Sequence, residues 1–144
     1  VVKTAEAVRE RVSMIALLDT MRYVYRSGRI PKVAAQAASI LNIKPILTIS
    51  SGVVRFSGAV RNKKHGVSQL LSRMRNKAGQ NPVHVAVMHA YAREEAERLK
   101  ERVSAEFNCT ELWLTEFSPV MGYATGPGAL TIGFHPELDF GKHP

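Results

Sequence analysis

A chain of 144 residues with 45% hydrophobic and 22% charged side chains has the size and composition of one soluble globular domain. No apolar run approaches the roughly 20 residues that span a bilayer, so no transmembrane helix is expected. The lone Cys109 excludes an internal disulfide, and without a recognisable secretory leader we expect a reducing cytoplasm. Because Val1 enters a helix-like stretch directly, we expect the chain to begin inside a longer gene product.

The net charge of +8 is distributed unevenly along the chain. From Thr20 through Arg93 there are thirteen Lys or Arg residues and no Asp or Glu. A stretch of one sign predicts a positive field that attracts a phosphate, a carboxylate, an acidic protein or an anionic membrane. A solvated basic face, balanced by an acidic half of a longer protein, explains the same pattern equally well.

The first third of the chain alternates helical and strand-like patterns. Residues 3–11 have the 3-to-4 apolar spacing of an amphipathic helix, which we interpret as a remnant that joins an absent half. Ser13 to Leu18 is an apolar run of strand length, and Asp19-Thr20 provides an N-cap for a short helix. The Ala-rich segment from Lys32 to Leu41 has a high helix propensity.

The middle of the chain predicts a hairpin followed by a long helix. Pro45 to Ser50 and Val53 to Val60 have strand composition, and Ser51-Gly52 between them is a turn. From Lys63 to Ala78, apolar residues form one helical face and basic residues the other, and Gly79 ends the helix.

The last third predicts two strands around a helix, then a loop and a final strand. Val83 to Met88 has the pattern of a buried strand, and Ala92 to Phe107 that of an amphipathic helix with Glu94 four residues before Arg98. Thr110 to Phe117 is strand-like, Ser118 to Gly128 is predicted to be a loop, and Ala129 to Phe134 is predicted to be the last strand.

Strands and helices therefore alternate, except at the central hairpin. The predicted class is α/β (α+β), a mixed β-sheet with helices mainly on one face. The tail from His135 onward is predicted to be irregular surface.

Catalytic and metal-binding patterns are missing from the sequence. The five histidines show no metal-ligand spacing with one another, with Cys109 or with paired acids. His84 and His89 are expected to be hydrogen-bonded structural residues. The serines have no adjacent base and form no Gly-x-Ser-x-Gly elbow. We therefore predict no enzyme activity, no metal and no cofactor.

Two glycine-containing segments leave their role open. The glycines from Gly122 to Gly128 permit positive φ and a close approach of the backbone to another object, but the Lys-Ser or Lys-Thr of a P-loop is absent. The spacing does not decide whether that object is a ligand or a packed strand. Arg29, directly after Gly28, is suited to binding a carboxylate or phosphate or to facing solvent.

Four segments in this order resemble the second half of a DegV-family protein: Leu17-Leu18-Asp19-Thr20, Gly28-Arg29-Ile30, Asn42 to Leu47, and the Gly126-Pro127-Gly128 loop with the strand after it. The resemblance extends from Val12 to Phe134. It implies a bacterial lipid carrier that buries one fatty acid between two domains and presents its carboxylate to a separate fatty acid kinase for phospholipid synthesis. The other domain would carry the hydroxyl residues that bind the carboxylate.

The resemblance also implies domain bounds and site residues. Residues 1–12 would be the linker remnant to the missing N-terminal domain, 13–140 the lipid-binding domain and 141–144 a tail. Arg29 would lie near the head group or on the face used with the kinase, and Thr125, Gly126 and Gly128 would be loop residues beside it. The family commonly has a His at the position of Ala124, and this departure puts head-group recognition in question.

Apolar residues are expected to line the acyl tunnel, because each buried methylene contributes about 0.8 kcal/mol. The candidates are Met14, Leu18, Ile30, Ile46, Met88, Leu130 and Ile132. For any single one of them, ordinary core packing is the favoured explanation. The bound long-chain fatty acid would be the ligand, and the basic stretch would dock an acidic partner or an anionic membrane surface.

The alternative function is a basic interaction domain that binds nucleic acid or other polyanions. Its phosphate-contacting stripe would be Arg61, Lys63, Lys64, Arg73, Arg75 and Lys77. The stripe lacks interleaved aromatic residues and a helix-turn-helix pattern. An enzyme acting on an acyl substrate ranks last, because the sequence offers neither a nucleophile nor paired carboxylates.

Overall fold

Six strands form one mixed sheet in the computed structural model, which describes residues 1–28 and 42–137. The strands are β1 (Ser13–Leu17), β2 (Lys44–Ser50), β3 (Val53–Val60), β4 (Val83–His89), β5 (Cys109–Glu116) and β6 (Leu130–Pro136). Their order across the sheet is β3-β2-β1-β6-β4-β5. Only the β4–β5 pair is parallel, so the predicted mixed sheet is confirmed.

Two long helices cover one face of this sheet. The five helices of the described residues are α1 (Val2–Arg11), α2 (Arg22–Arg26), α3 (Lys63–Ala78), α4 (Arg93–Glu106) and α5 (Pro119–Thr125). Leu70, Leu71 and Met74 of α3 and Leu99 and Val103 of α4 pack against the sheet in the main hydrophobic core. The strands contribute alternate residues to this core, among them Ile15, Leu17, Ile46, Val83, Val85, Val87, Leu130, Ile132 and Phe134.

The two long helices form where the sequence predicts them because their local signals agree with their apolar faces. The Asn62 side chain accepts a hydrogen bond from the His65 N–H at 2.8 Å and caps the start of α3. Gly79, with φ of 60°, follows its last residue. On α4 the predicted pair of Glu94 and Arg98 is present at 3.9 Å.

A second, smaller cluster lies on the other face of the sheet. Met21 and Val24, from the segment that contains α2, pack there with Leu18, Ala90 and Ala129. The helix begins later than Asp19-Thr20 predicts: Met21 precedes its first residue without a side-chain cap, and Thr20 Oγ1 accepts from the Arg22 N–H at 3.2 Å.

Two predictions about the last third of the chain are wrong. Residues 118–128 are not all loop, because Pro119–Thr125 is helical, with Pro119 in the first turn where its missing N–H is tolerated. The tail does not begin at His135, since β6 continues to Pro136 and pairs with β4 as far as Val83. The predicted helix from Lys32 to Leu41 lies outside the described residues.

Gly66 explains how α3 comes close to the sheet. A methyl group at this position would lie 2.5 Å from Leu17 Cδ1, and Leu17 is fully buried. We expect Gly66→Ala to destabilise the protein by about 1–3 kcal/mol through overpacking, although Ala normally favours a helix over Gly. Urea unfolding of the variant measures the change.

The matched control is Gly122→Ala in α5, where nothing lies within 4 Å of the new methyl group. This variant should leave stability unchanged or raise it by up to about 1 kcal/mol. Stabilisation of the protein by both substitutions would contradict the close contact between Gly66 and Leu17.

Candidate ligand-binding site

The face of the sheet opposite α3 and α4 carries an apolar cavity of about 330 Å³. We call this side the cavity face and define it by Met14, Ala86, Met88, Trp113 and Gly133, which alternate with core residues along β1, β4, β5 and β6. Residues from these strands, together with Val12 between α1 and β1, line the cavity: Val12, Met14, His84, Val85, Ala86, Met88, Glu111, Trp113, Gly133, Phe134 and His135. Its volume is at the lower end of ligand pockets.

Gly133 creates room in the floor of this cavity. A methyl group on Gly133 would lie 3.2 Å from Met88 Cε and 3.6 Å from Met14 Cγ, so any side chain here would fill the space between the two methionines. Trp113, on the edge strand β5, forms a wall and is 64% exposed. A flexible floor of methionines and one aromatic wall suit an apolar chain of variable shape.

One end of the cavity is polar. The imidazoles of His84 and His135 stack with their centroids 4.7 Å apart. His84 Nδ1 lies 3.0 Å from Glu111 Oε2, and His135 Nδ1 lies 2.8 Å from the Pro136 carbonyl oxygen. These contacts orient both rings across the end of the apolar floor.

Thr131 places a buried hydroxyl on the same side of the sheet. It lies between Ala16 and Met88 in the strand register and two residues from Gly133 on β6. Within residues 1–28 and 42–137, Thr131 Oγ1 is buried with no hydrogen-bond partner. A ligand oxygen or a water at this depth would satisfy it.

A charged network lies where β1 ends and β2 begins, at the end of the strands opposite His84 and His135. We call this end of the sheet the charged edge. Lys44 Nζ is 3.3 Å from Asp19 Oδ1, and Lys63 Nζ is 3.7 Å from the same oxygen. Lys63 also pairs with Glu95. Two cations and two carboxylates therefore neutralise one another and tie α3 and α4 to this edge.

The glycines after α5 pack against protein side chains at this same edge. Gly126 (φ 83°) contacts the ring of Tyr23 and Gly128 (φ 87°) contacts the Asp19 carboxylate so closely that a Cβ at either position would overlap them. The Gly128 N–H also donates to the Ala90 carbonyl at 2.7 Å. The close approach that the sequence left open is thus made to packed protein groups.

We expect Gly128→Ala to be strongly destabilising, because it combines a positive φ with displacement of Asp19 from its two lysines. The control is Gly52→Ala, which has a similar φ of 74° but nothing within 4 Å, and should cost about 1–2 kcal/mol from φ alone. Gly128→Ala should cost at least about 1 kcal/mol more in denaturant unfolding. Equal losses would show that the Asp19 contact is unimportant.

The structure brings together only part of the predicted ligand-binding set. Met14 and Met88 line the cavity, and Leu18 is buried in the smaller cluster on the same side of the sheet. Ile46 and Ile132 lie in the main core on the opposite face. Thr125, Gly126 and Gly128 lie at the charged edge, where the Thr125 hydroxyl donates to the Met121 carbonyl at 2.8 Å. Arg29 and Ile30 lie outside the described residues.

Sequence reasoning missed Gly133, Ala86, Trp113 and the pair of His84 and His135 as cavity residues. One signal was available in β6, where Thr131, Gly133 and His135 alternate with large apolar residues. A glycine inside a strand often marks a close approach by another group. The cross-strand pairing that completes the cavity has no such local signal.

Other reactive groups of the described residues are structural. The buried His89 accepts a hydrogen bond at Nδ1 from the Ala92 N–H at 3.3 Å. Burial raises the pKa of the Cys109 thiol, which disfavours the reactive thiolate. No three His, Cys, Asp or Glu side chains in these ranges are grouped to hold a metal ion.

The proposed phosphate-contacting stripe is largely engaged in contacts within the protein. Arg73 donates to the Ser57 hydroxyl and carbonyl at 2.8 Å each, and Arg75 pairs with Glu106 at 2.5 Å. Lys77 Nζ is 3.2 Å from Ser13 Oγ, and Lys63 belongs to the charged network. These intramolecular contacts compete with phosphate binding and do not favour one phosphate-binding surface.

A family model described as "Uncharacterised protein, DegV family" matches residues 1–137. The chain belongs to the DegV family. A DegV domain-containing protein from Clostridium acetobutylicum is 33% identical over 133 residues, which are 92% of this chain and 48% of that protein. This DegV-family chain therefore spans about half the length of the curated relatives it matches.

Solved structures share the fold of this chain. DegV from Bacillus subtilis, described as a fatty acid binding protein, has a TM-score of 0.78 and 28% identity over 94% of this chain and 49% of its own. The Fatty Acid Kinase (Fak) B3 protein of Streptococcus pneumoniae, loaded with linoleic acid, has a TM-score of 0.82 and 17% identity over 94% of this chain and 48% of its own.

One feature of this DegV-family chain bears on ligand binding. Ala124, at the position where the family resemblance implies a His, is buried on α5 and offers no polar group.

None of the helices in residues 1–28 and 42–137 is both long and apolar enough to cross a bilayer.

Proposed function

We propose that this chain is one half of a protein that binds a long-chain fatty acid, with the acyl chain on the cavity face. The observation that carries the proposal is the apolar cavity over Met14, Ala86, Met88 and Gly133, on the side of the sheet away from α3 and α4. The descriptions of the Bacillus and Streptococcus structures as fatty-acid-binding or fatty-acid-loaded support this choice of ligand.

Apolar burial provides most of the binding energy in this proposal. At about 0.8 kcal/mol per buried methylene, ten methylenes would contribute about 8 kcal/mol, before the cost of ordering the ligand. A cavity of about 330 Å³ is small for a whole C16 or C18 chain. The described cavity would hold one part of the acyl chain, and the remainder of the longer protein would enclose the rest.

The carboxylate would lie toward the edge that contains Gly126 and Gly128. Arg29, which follows the described Gly28, would bind or orient it, with Ile30 beside the first methylenes. Because Ala124 has no imidazole, this protein would depend more on Arg29 and on hydroxyl groups of its other half. Leu18, Ile46 and Ile132 would support the site through packing.

The protein would act as a carrier and not as an enzyme. A separate fatty acid kinase would act on the exposed carboxylate, and the similarity in fold to a Fatty Acid Kinase (Fak) B3 protein supports this partner. The basic stretch would dock that partner or, transiently, an anionic membrane surface. Residues 1–12 would link the lipid-binding domain, residues 13–140, to an N-terminal domain, and the protein would work in the bacterial cytoplasm.

Trp113 allows a direct test, because it is the single tryptophan of the chain and a wall of the cavity. Oleate should shift its emission to shorter wavelength, and a stearate brominated in the middle of its chain should quench it with saturation at one equivalent. Trp113→Phe should remove the contribution of Trp113 to this signal without abolishing binding measured by calorimetry. Absence of a saturable response to oleate, palmitate and bromostearate would contradict the proposal.

The dependence of binding affinity on ionic strength distinguishes fatty-acid binding from polyanion binding. Acyl burial should respond little to a rise from 50 to 500 mM salt, whereas neutralising several phosphates makes affinity fall steeply with salt. Tight, strongly salt-dependent binding of an oligonucleotide, together with no binding of oleate, would favour the basic interaction domain.

A further inference from the structure

The hydroxyl group of Thr131 is a buried polar group that packing does not explain. Thr131 is 1% exposed, and among the residues that the structure describes its Oγ1 has no hydrogen-bond partner. A buried hydroxyl in this state has lost its hydrogen bonds to water without replacement. A valine would fill the same space without that loss, so the hydroxyl points to a partner outside the described protein.

The surroundings of Thr131 offer it no partner of their own. Strand β6 lies between β1 and β4, so the backbone groups on both sides are used by the sheet. Its neighbours across the sheet are Ala16 and Met88, and Ala16 belongs to the smaller apolar cluster with Leu18 and Ala129. A buried water is held by about three hydrogen bonds, which these apolar side chains do not supply.

Met88 lies between this hydroxyl and the cavity. It is opposite Thr131 in the strand register, it lines the cavity, and its Cε lies 3.2 Å from where a Cβ of Gly133 would be. The side chain of Met88 therefore extends from beside Thr131 over the cavity floor. Because methionine is unbranched and flexible, a shift of this side chain opens Thr131 to a ligand in the cavity.

We propose that Thr131 donates a hydrogen bond to an oxygen atom on the bound acyl chain, and that the site is matched to a long-chain fatty acid with a hydroxyl or keto group. This inference rests on the proposed fatty-acid binding. A saturated hydrocarbon chain has no acceptor and leaves Thr131 unpaired, whereas a chain oxygen satisfies it. Sites that hydrogen-bond a ligand hydroxyl discriminate against the analogue that lacks it, because the protein group is then left unpaired.

The position of Thr131 on β6 determines where this oxygen lies. With the carboxylate toward Gly128, as proposed above, Thr131 is three residues farther along the chain. Three extended residues span about 10 Å. Beyond Thr131 come Gly133 in the cavity floor and His135 at its polar end. The oxygen therefore belongs near the middle of a C16 or C18 chain, and not beside the carboxylate or at the methyl end.

Thr131→Val in the full-length protein tests this contact, because it removes the hydroxyl and keeps the shape of the side chain. Calorimetry compares stearate with three hydroxystearates, whose hydroxyl is beside the carboxylate, in the middle of the chain or at the methyl end. The ratio of the affinity for the mid-chain hydroxystearate to that for stearate should fall by about tenfold in the variant. The ratios for the other two acids should not change.

The matched control is Thr110→Val, which removes an exposed hydroxyl on β5 from a residue that does not line the cavity. All of its affinity ratios should equal those of the parent. Urea unfolding of the lipid-free proteins adds a measurement without ligand. Thr131→Val should be as stable as the parent or more stable, because the hydroxyl it removes is unpaired in the folded protein.

Three results would overturn the role of Thr131. The first is an unchanged ratio for the mid-chain hydroxystearate in Thr131→Val. The second is an equal fall for oleate, whose chain has a double bond but no oxygen at its middle. The third is a marked loss of stability in Thr131→Val, which would reveal a structural partner such as a buried water. If the parent protein binds none of these acids, fatty-acid binding itself is contradicted, and the inference falls with it.

Discussion

Gly133→Leu is expected to lower the affinity for oleate or palmitate by about 100-fold. The new side chain would occupy the floor between Met14 and Met88, whose atoms already lie 3.6 and 3.2 Å from a Cβ at this position. Displacing about four methylenes from the cavity loses about 3 kcal/mol, and 1.4 kcal/mol corresponds to a factor of ten. Calorimetric titration of the full-length protein measures the change.

The control for this prediction is Ala105→Leu, which adds an apolar side chain at an exposed position of α4, outside the residues that line the cavity. It should leave the affinity unchanged. Both variants must keep the circular dichroism spectrum of the parent at the temperature of the titration. If folded Gly133→Leu binds oleate as tightly as the parent, the acyl chain does not occupy this cavity.

Ile132→Ala is expected to lower the free energy of unfolding by about 2–5 kcal/mol, the usual range for truncating a buried isoleucine. Ile132 is fully buried in the main core on the side of α3 and α4. The affinity of the folded protein for a fatty acid should change by less than about twofold, because the side chain points away from the cavity face. Urea unfolding and calorimetry on the same preparation separate the two effects.

Met88→Ala provides the matched comparison, since Met88 neighbours Thr131 across the sheet and lines the cavity. It should cost less stability than Ile132→Ala, because Met88 is only partly buried, and should weaken fatty-acid binding more. A larger loss of affinity in folded Ile132→Ala than in Met88→Ala would contradict the assignment of the two faces.

Several elements were predictable because local and tertiary signals coincide in them. The hairpin of β2 and β3 has β-branched strands around Ser51-Gly52, and both turn residues adopt the positive φ that such a turn requires. The helix over Lys63–Ala78 combines a strong apolar stripe with an Asn cap and a terminal Gly. Gly66 has a low helix propensity, but its close approach to Leu17 gives it a packing role in this helix.

Helix α5 could not be predicted, because its sequence violates the rule on which prediction depends. Gly122 and Pro119 suggest a loop, and the outward Val120 and Tyr123 remove the amphipathic pattern. The exposure of the large apolar residues of α5 could therefore be recognised only in the structure.

The candidate site was predictable in composition but not in arrangement. Met14 and Met88 fall on the cavity face, while Ile46 and Ile132 fall on the core face. In apolar strands such as β1 and β6, both faces carry large hydrophobic residues, so hydropathy does not show which residues face the helices. The pairing of β6 between β1 and β4, which brings Met14, Gly133 and Ala86 into one row, depends on long-range register.

Native mass spectrometry of the full-length protein, followed by lipid extraction, tests the central claim most directly. Protein purified from a bacterial host should carry one C16 or C18 fatty acid per polypeptide. The Gly133→Leu variant should carry much less bound fatty acid. A protein that purifies without bound lipid, and whose mass does not increase when oleate or palmitate is added, would contradict the assignment of this DegV-family chain to fatty-acid binding.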